Sequence, residues 1–242
     1  VGTSNCGANK VGSNPTLTDP YSYLNANPPI PTNTCGSYPQ GGSGPTLSNA
    51  DPWGSLTVKK CGDTRLTADI NVTNANTVLV VYNGYLDLNG HTLKTTGSGS
   101  LTVILSGTVQ NGGSTTYNHI VKNSTGSGTL DIAGPTSGTL SGVALYQDKR
   151  LTGSKNAVDM TYNGNDPTLR IQGLVYMPNS NFTMKGAINL HSGGNRCIAV
   201  VAKTILVSGQ GAVFGNPTSQ CSQSGLAVPG VPGTAARQAL VR

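Results

Sequence analysis

The chain contains no glutamate: all nine acidic residues are aspartate, and only 10% of its 242 residues carry charge. Glutamate is among the better helix formers, so its absence argues against a helix-rich protein. Aromatic side chains are also scarce, with one Trp, two Phe and nine Tyr. No apolar run exceeds five residues, the longest being 78–82 and 198–202, whereas a membrane-crossing helix needs roughly 20. A membrane anchor is therefore expected only outside this chain. The opening at Val1, without a signal peptide, fits a mature product or an excised fragment.

Several kinds of chemistry lack their usual signatures. The cysteines form no Cys-x-x-Cys pair, which leaves zinc without a ligand set. His91, His119 and His191 are scattered, and none is spaced four residues from another His as a helical metal site requires. There is no Gly-x-Ser-x-Gly elbow for a serine hydrolase. Nothing in the sequence calls for a cofactor. The formal charge of +6 reflects 15 basic side chains against few acids. The basic residues are spread from Lys10 to Arg242 with no basic and aromatic stripe, so nucleic acid is not an expected partner.

Small and polar residues fill the space: 33 Gly, 29 Thr, 23 Asn and 22 Ser. Valine, isoleucine and leucine recur among them in regular blocks, which separates the chain from a disordered tract. An ordered, turn-dense all-β protein is expected.

Five cysteines stand at positions 6, 35, 61, 197 and 221. Disulfides suit this spacing, with Cys35 paired to Cys61 and Cys197 to Cys221, which leaves Cys6 odd. Bridges of this kind imply an oxidising, extracytoplasmic compartment.

Along the chain, residues 1–55 hold eight of the fourteen prolines and a Gly41-Gly42-Ser43-Gly44 stretch. Proline cannot donate to a sheet ladder, so this segment reads as an irregular cover lying on a surface. From 56 to 215 the texture changes. Six segments follow the template apolar-x-apolar-x-Gly, closing at Gly90, Gly107, Gly134, Gly173, Gly186 and Gly209. Each reads as a period-two strand with one inward face, ended by a residue that tolerates a sharp turn.

The intervals between these glycines are irregular, which excludes a single short consensus repeat but suits a solenoid whose corners accept insertions. The fold expected is a single-domain parallel β-helix (β-solenoid) of irregular coils, with residues 216–242 as a disulfide-linked cap and tail. The cover and the tail are expected to blunt the open ends of the coil. A β-sandwich is the structural alternative.

Four blocks, in order, resemble the C-terminal extracytoplasmic region of TadG-like proteins, the TadE/TadG-like group associated with bacterial tight-adherence (Flp) pilus loci. They are Asp19-Pro20-Tyr21-Ser22-Tyr23-Leu24 followed by prolines and Cys35; GTLSGVALYQDKR at 138–150; GLVYMPNSNFTMKG at 173–186; and CIAVVAKTILVSG at 197–209 with Cys221. The resemblance implies an envelope-anchored precursor with a membrane helix and an assembly segment upstream. It also implies a partner for Cys6 there, and envelope or pilus components as partners.

Remaining candidates for chemistry are few. Asp87 and Asp131 occupy the same place in the template, and glycoside hydrolysis would require them about 5–9.5 Å apart. Asp148-Lys149-Arg150 is the densest charge cluster and reads as a corner that pairs its charges locally. Asn163-Gly164-Asn165-Asp166 resembles part of a calcium loop but lacks the alternating ligands and terminal Glu. Asn71, Asn123 and Asn181 begin glycosylation acceptor patterns.

The expectation for function is a non-catalytic structural or adhesive protein of the bacterial envelope or of a surface fibre. Its partners would be envelope or pilus components, glycans or further copies of itself. A polysaccharide-processing β-helix enzyme and a self-assembling filament subunit are the alternatives.

Overall fold

A computed structural model describes residues 19–27, 29–32, 35, 44–54, 57–107, 121–122, 128–148, 160–162, 168–184, 197–207 and 218–227. Among them, every strand pairing is parallel. The chain winds repeatedly through three sheets in the same order, which is the expected β-solenoid and not two facing antiparallel layers.

Sheet I stacks β1 (Thr46–Leu47), β3 (Thr64–Leu66), β6 (Leu86–Asp87) and β9 (Val121–Lys122). Sheet II stacks β4 (Ile70–Val72), β7 (Thr92–Thr95), β10 (Thr129–Ala133) and the start of β13 (Thr168–Met184). Sheet III stacks β2 (Thr57–Cys61), β5 (Thr77–Tyr82), β8 (Leu101–Ser106), β11 (Val143–Gln147), the rest of β13 and β14 (Ile198–Val207), with β12 (Met160–Tyr162) against the far part of β13.

Side-chain contacts between stacked coils span 20 residues at Thr67 and Leu47, 22 at Arg65 and Asp87, and 25 at Thr96 and Asn71. Where corners carry insertions the span rises to 38 at Ala133 and Thr95 and 42 at Ser106 and Asp148.

Like residues stack inside. One row of sheet III runs Val58, Leu79, Val103, Leu145, Val175 and Val200, and one row of sheet II runs Ile70, Leu93, Leu130 and Leu169. These rows join one continuous apolar core within the coil. Burying each such side chain contributes about 1.5–3 kcal/mol, and no single coil could bury its row alone.

Corners demand unusual backbone. Gly107 has φ +122°, and a β-carbon there would lie 2.2 Å from Asn83 Oδ1 of the coil below. Gly173, with φ +119°, is where β13 leaves sheet II for sheet III. Asparagine also takes this role, at Asn76, Asn83 and Asn89, all with left-handed φ. Its short amide tolerates that region better than most side chains.

The ends and the cover differ from the sequence reading in two respects. Sheet I already begins at β1, inside the 1–55 segment, where Pro45 O accepts from Arg65 N. The described cover residues 19–27, 29–32 and 35 lie along the side of the solenoid, on the outer surface of sheet III, where Tyr21, Leu24 and Ile30 join a second apolar cluster. The N-terminal end is filled instead by Trp53, buried against the core, its Nε1 donating to Ser48 O at 2.8 Å. Helix α1 (Tyr23–Ala26) is one turn within the cover, and α2 (Thr218–Gln223) is a short turn carrying Cys221.

Candidate functional site

Sheet III buries apolar residues on both surfaces, and this explains where the tyrosines sit. Strand alternation sends Val80, Ile104, Tyr146, Tyr176 and Val201 outward in one row, under the cover. Tyr146 and Tyr176 stack with ring centroids 5.7 Å apart and planes 11° from parallel. Their hydroxyls, with that of Tyr82, reach past the sheet to hold the cover. Tyr82 OH donates to Pro31 O at 2.6 Å, Tyr146 OH to Leu24 O at 3.2 Å, and Tyr176 OH to Asp19 Oδ2 at 2.6 Å. Asn25 Nδ2 donates to Tyr176 OH at 2.8 Å.

Burial, and then the Asp19 carboxylate, push the Tyr176 phenol well above its ordinary range, so it stays a donor. Burial also raises Tyr21, whose OH donates to Ala227 O of the C-terminal segment. The cover and that segment thus share one outer surface.

Both segments are also tied covalently. Cys35 bonds Cys61 at the end of β2, with Cα atoms 5.7 Å apart, and Cys197, just before β14, bonds Cys221 of α2, with Cα atoms 4.9 Å apart. The pairings are those the sequence suggests. They close intervals of 26 and 24 residues, each bridge contributing about 3 kcal/mol in the chain-entropy account. Cys6 lies outside the described residues.

The ionisable candidates are not gathered. Asp87 lies in sheet I and Asp131 in sheet II, so the shared template position places them on different faces. Each stands in a column between two basic residues: Arg65, Asp87 and Lys122 in one, Lys94, Asp131 and Arg170 in the other. Arg65 Nε meets Asp87 Oδ2 at 3.2 Å, and Arg170 Nη1 approaches Asp131 Oδ2 at 3.9 Å.

Asp148 is buried in sheet III's outer corner and accepts from Ser106 Oγ at 2.9 Å. Its sequence neighbours Lys149 and Arg150 lie outside the described residues. So do His119, His191, Asn123 and the Asn163–Asp166 stretch. His91 Nδ1 is 3.5 Å from Asp69 Oδ1. Asn71 is exposed on sheet II and its Oδ1 accepts from Thr96 Oγ1, while Asn181 Oδ1 accepts from Thr204 Oγ1. Among the described residues, no three His, Cys or Asp form a metal-sized group, and no helix is long and apolar enough to cross a membrane.

One feature that sequence reasoning missed is a neutral groove at the corner where sheet II passes to sheet III. A recess of about 370 Å³ is lined by Thr95, Thr96, Ser98, Ser100, Ser137 and Gln172, among others. An adjoining recess of about 460 Å³ shares Asn76 and Ser137 and adds apolar walls from Pro29, Val78, Pro135 and Leu140. The turn at 96–99, with Gly99 N donating to Thr96 O at 3.0 Å, forms one bank, and residues 134–137 form the other. Spacing in the chain could not have revealed it, because the residues of the polar recess alone come from four coils.

Comparisons of this chain with family models, with curated proteins and with solved structures found no match.

Proposed function

We propose that this chain is a non-catalytic structural or adhesive element of the bacterial envelope or of a surface fibre, working outside the cytoplasm. The observation that carries this reading is the double fastening of sheet III, whose first and last strands are each bridged by a disulfide to the segments packed outside it. Such bridges persist in oxidising compartments. They stiffen a surface that the tyrosine hydroxyls already hold. The separation of Asp87 from Asp131 weighs against the polysaccharide-processing alternative, which needs two carboxylates across one bond. The ordered blocks resembling TadG-like proteins support an envelope-anchored origin and pilus-locus partners.

Fractionation of cells making the native full-length precursor, with non-reducing peptide mapping, tests the reading. The expected result is recovery from the envelope or the medium with both disulfides formed, together with surface retention of beads coated with the oxidised chain. Recovery from the cytoplasm with free thiols overturns it. Cleavage of a neutral or acidic polysaccharide that disappears in an Asp148→Ala variant would establish the enzyme instead.

A further inference from the structure

We infer that the groove at the corner of sheets II and III binds a neutral oligosaccharide. The inference deepens the adhesive reading above and rests on it for its biological setting. Its starting point is Gln172. Outward on β13, this side chain is only 5% exposed, and its Oε1, itself shielded from solvent, has no hydrogen-bond partner among the described residues. An unpaired buried acceptor is costly, so a turn of this amide toward the recess, where a ligand hydroxyl would pair it, adds to the ligand's own contacts.

The surroundings of Gln172 define the donor. Ala133 is its neighbour on the preceding coil, and this small side chain leaves room beside the amide. The backbone of Gln172 is spoken for, its carbonyl accepting from Gly134 N at 2.9 Å. Around it stand hydroxyls and amides, and none of the described lining residues of either recess is ionisable or aromatic. A charged ligand would find no counter-charge there, and a flat base or ring would find no stacking partner. A neutral hydroxyl-bearing molecule meets complementary groups.

The second recess sharpens the class. Sugar rings carry hydroxyls around their edge and C–H groups on their faces, and the groove presents both complements in sequence. The polar recess at Gln172 continues through Asn76 and Ser137 into one walled by Pro29, Val78, Pro135 and Leu140. Each recess falls within the roughly 300–1,000 Å³ typical of small-molecule sites. A linear glycan spanning both would use both, so binding should strengthen from one ring to several. Pro29 belongs to the cover, so the disulfide and tyrosine fastenings described above also hold one wall of the groove in place.

Titration of the oxidised, isotope-labelled chain with neutral methyl glycosides and with neutral linear trisaccharides tests this by NMR, with glucuronate and glucosamine as charged comparators. The expected result is saturable shifts at the Gln172 side-chain amide and at Ser98 and Ser137, with a trisaccharide binding at least tenfold more tightly than its monosaccharide. Gln172→Leu should weaken binding at least tenfold. Because that position is buried, exposed Ser137→Trp supplies a second variant: it should abolish binding with the unfolding midpoint unchanged. Absence of shifts with every neutral glycoside, or shifts that survive Ser137→Trp, overturns the inference. Failure here with an oxidised, envelope-located protein leaves the adhesive reading intact. Sugar binding by a reduced cytoplasmic protein leaves the groove intact and removes its setting.

Discussion

Gly84 shows how little freedom a stacked corner allows. A β-carbon there would lie 2.1 Å from Gly62 C and 2.3 Å from Gly62 O, backbone atoms of the coil below that cannot step aside. Gly84→Ala should therefore lower stability by about 1–3 kcal/mol, as overpacking does, read as a shift in the urea midpoint. Gly54→Ala, where nothing lies within 4 Å, should leave it unchanged.

Tyr176 offers a second test at this scale. Tyr176→Phe removes the donor to Asp19 and the acceptor for Asn25, and should cost about 1–3 kcal/mol. The wild-type phenol is held above its unfolded value, so its contribution is complete below about pH 10. It is lost as pH rises further and the folded-state phenol ionises. Alkaline titration should release the cover in the wild type, with faster amide exchange at 19–27, and Tyr176→Phe should flatten that pH dependence. The cysteine pairings were legible from spacing. The asparagines at positive φ were not, because in a chain this rich in Asn a corner residue looks the same as a surface one.

At the scale of elements, the repeated template was readable but its period was not. Leu86-Asp87-Leu88 lies in sheet I, Val103-Ile104-Leu105 in sheet III, and Leu130-Asp131-Ile132 in sheet II. The described closing glycines, Gly90, Gly107, Gly134 and Gly173, mark whichever corner comes next, not one turn of the coil, and their spacing is uneven for that reason; Gly186 and Gly209 lie outside the described residues. The same ambiguity made Asp87 and Asp131 look equivalent when they face different directions. It also hid β1, a two-residue strand directly after Pro45 and close to the Gly-rich run. Strand β5 reads as a simple apolar run because sheet III buries both surfaces, and alternation disappears when both faces are dry.

The cover should depend on its bridge. Cys35→Ser with Cys61→Ser should cost about 3 kcal/mol and raise amide exchange at 19–32 more than along β8. Equal effects on both segments would show that the cover and the solenoid unfold as one unit.

For the whole molecule, stacking along one axis sets the order of stability. Central coils have neighbours on both sides, whereas β14 pairs only with β13 among the described residues and leaves Ile205 and Leu206 exposed. Native-state hydrogen exchange should be slowest in β5 and β8 and faster in β14. At the opposite end Trp53 closes the core, and Trp53→Ala should cost about 3–5 kcal/mol. Uniform protection from β2 to β14 would contradict this one-dimensional description. The solenoid itself followed from inward rows of aliphatic residues. The groove did not, since it depends on which coils become neighbours and on how far each insertion carries the chain.

The two bridges also decide how the molecule answers a pull. Tension applied beyond Cys35 and Cys221 passes through sulfur to Cys61 and Cys197, so the loops they enclose carry none of it. Only the coils between those two anchors can be drawn out while the sulfurs remain joined. Reduction under load would then free hidden lengths of 26 and 24 residues, about 90 Å and 80 Å of extra chain. The reach of the chain under load thus has a stop that its redox surroundings set.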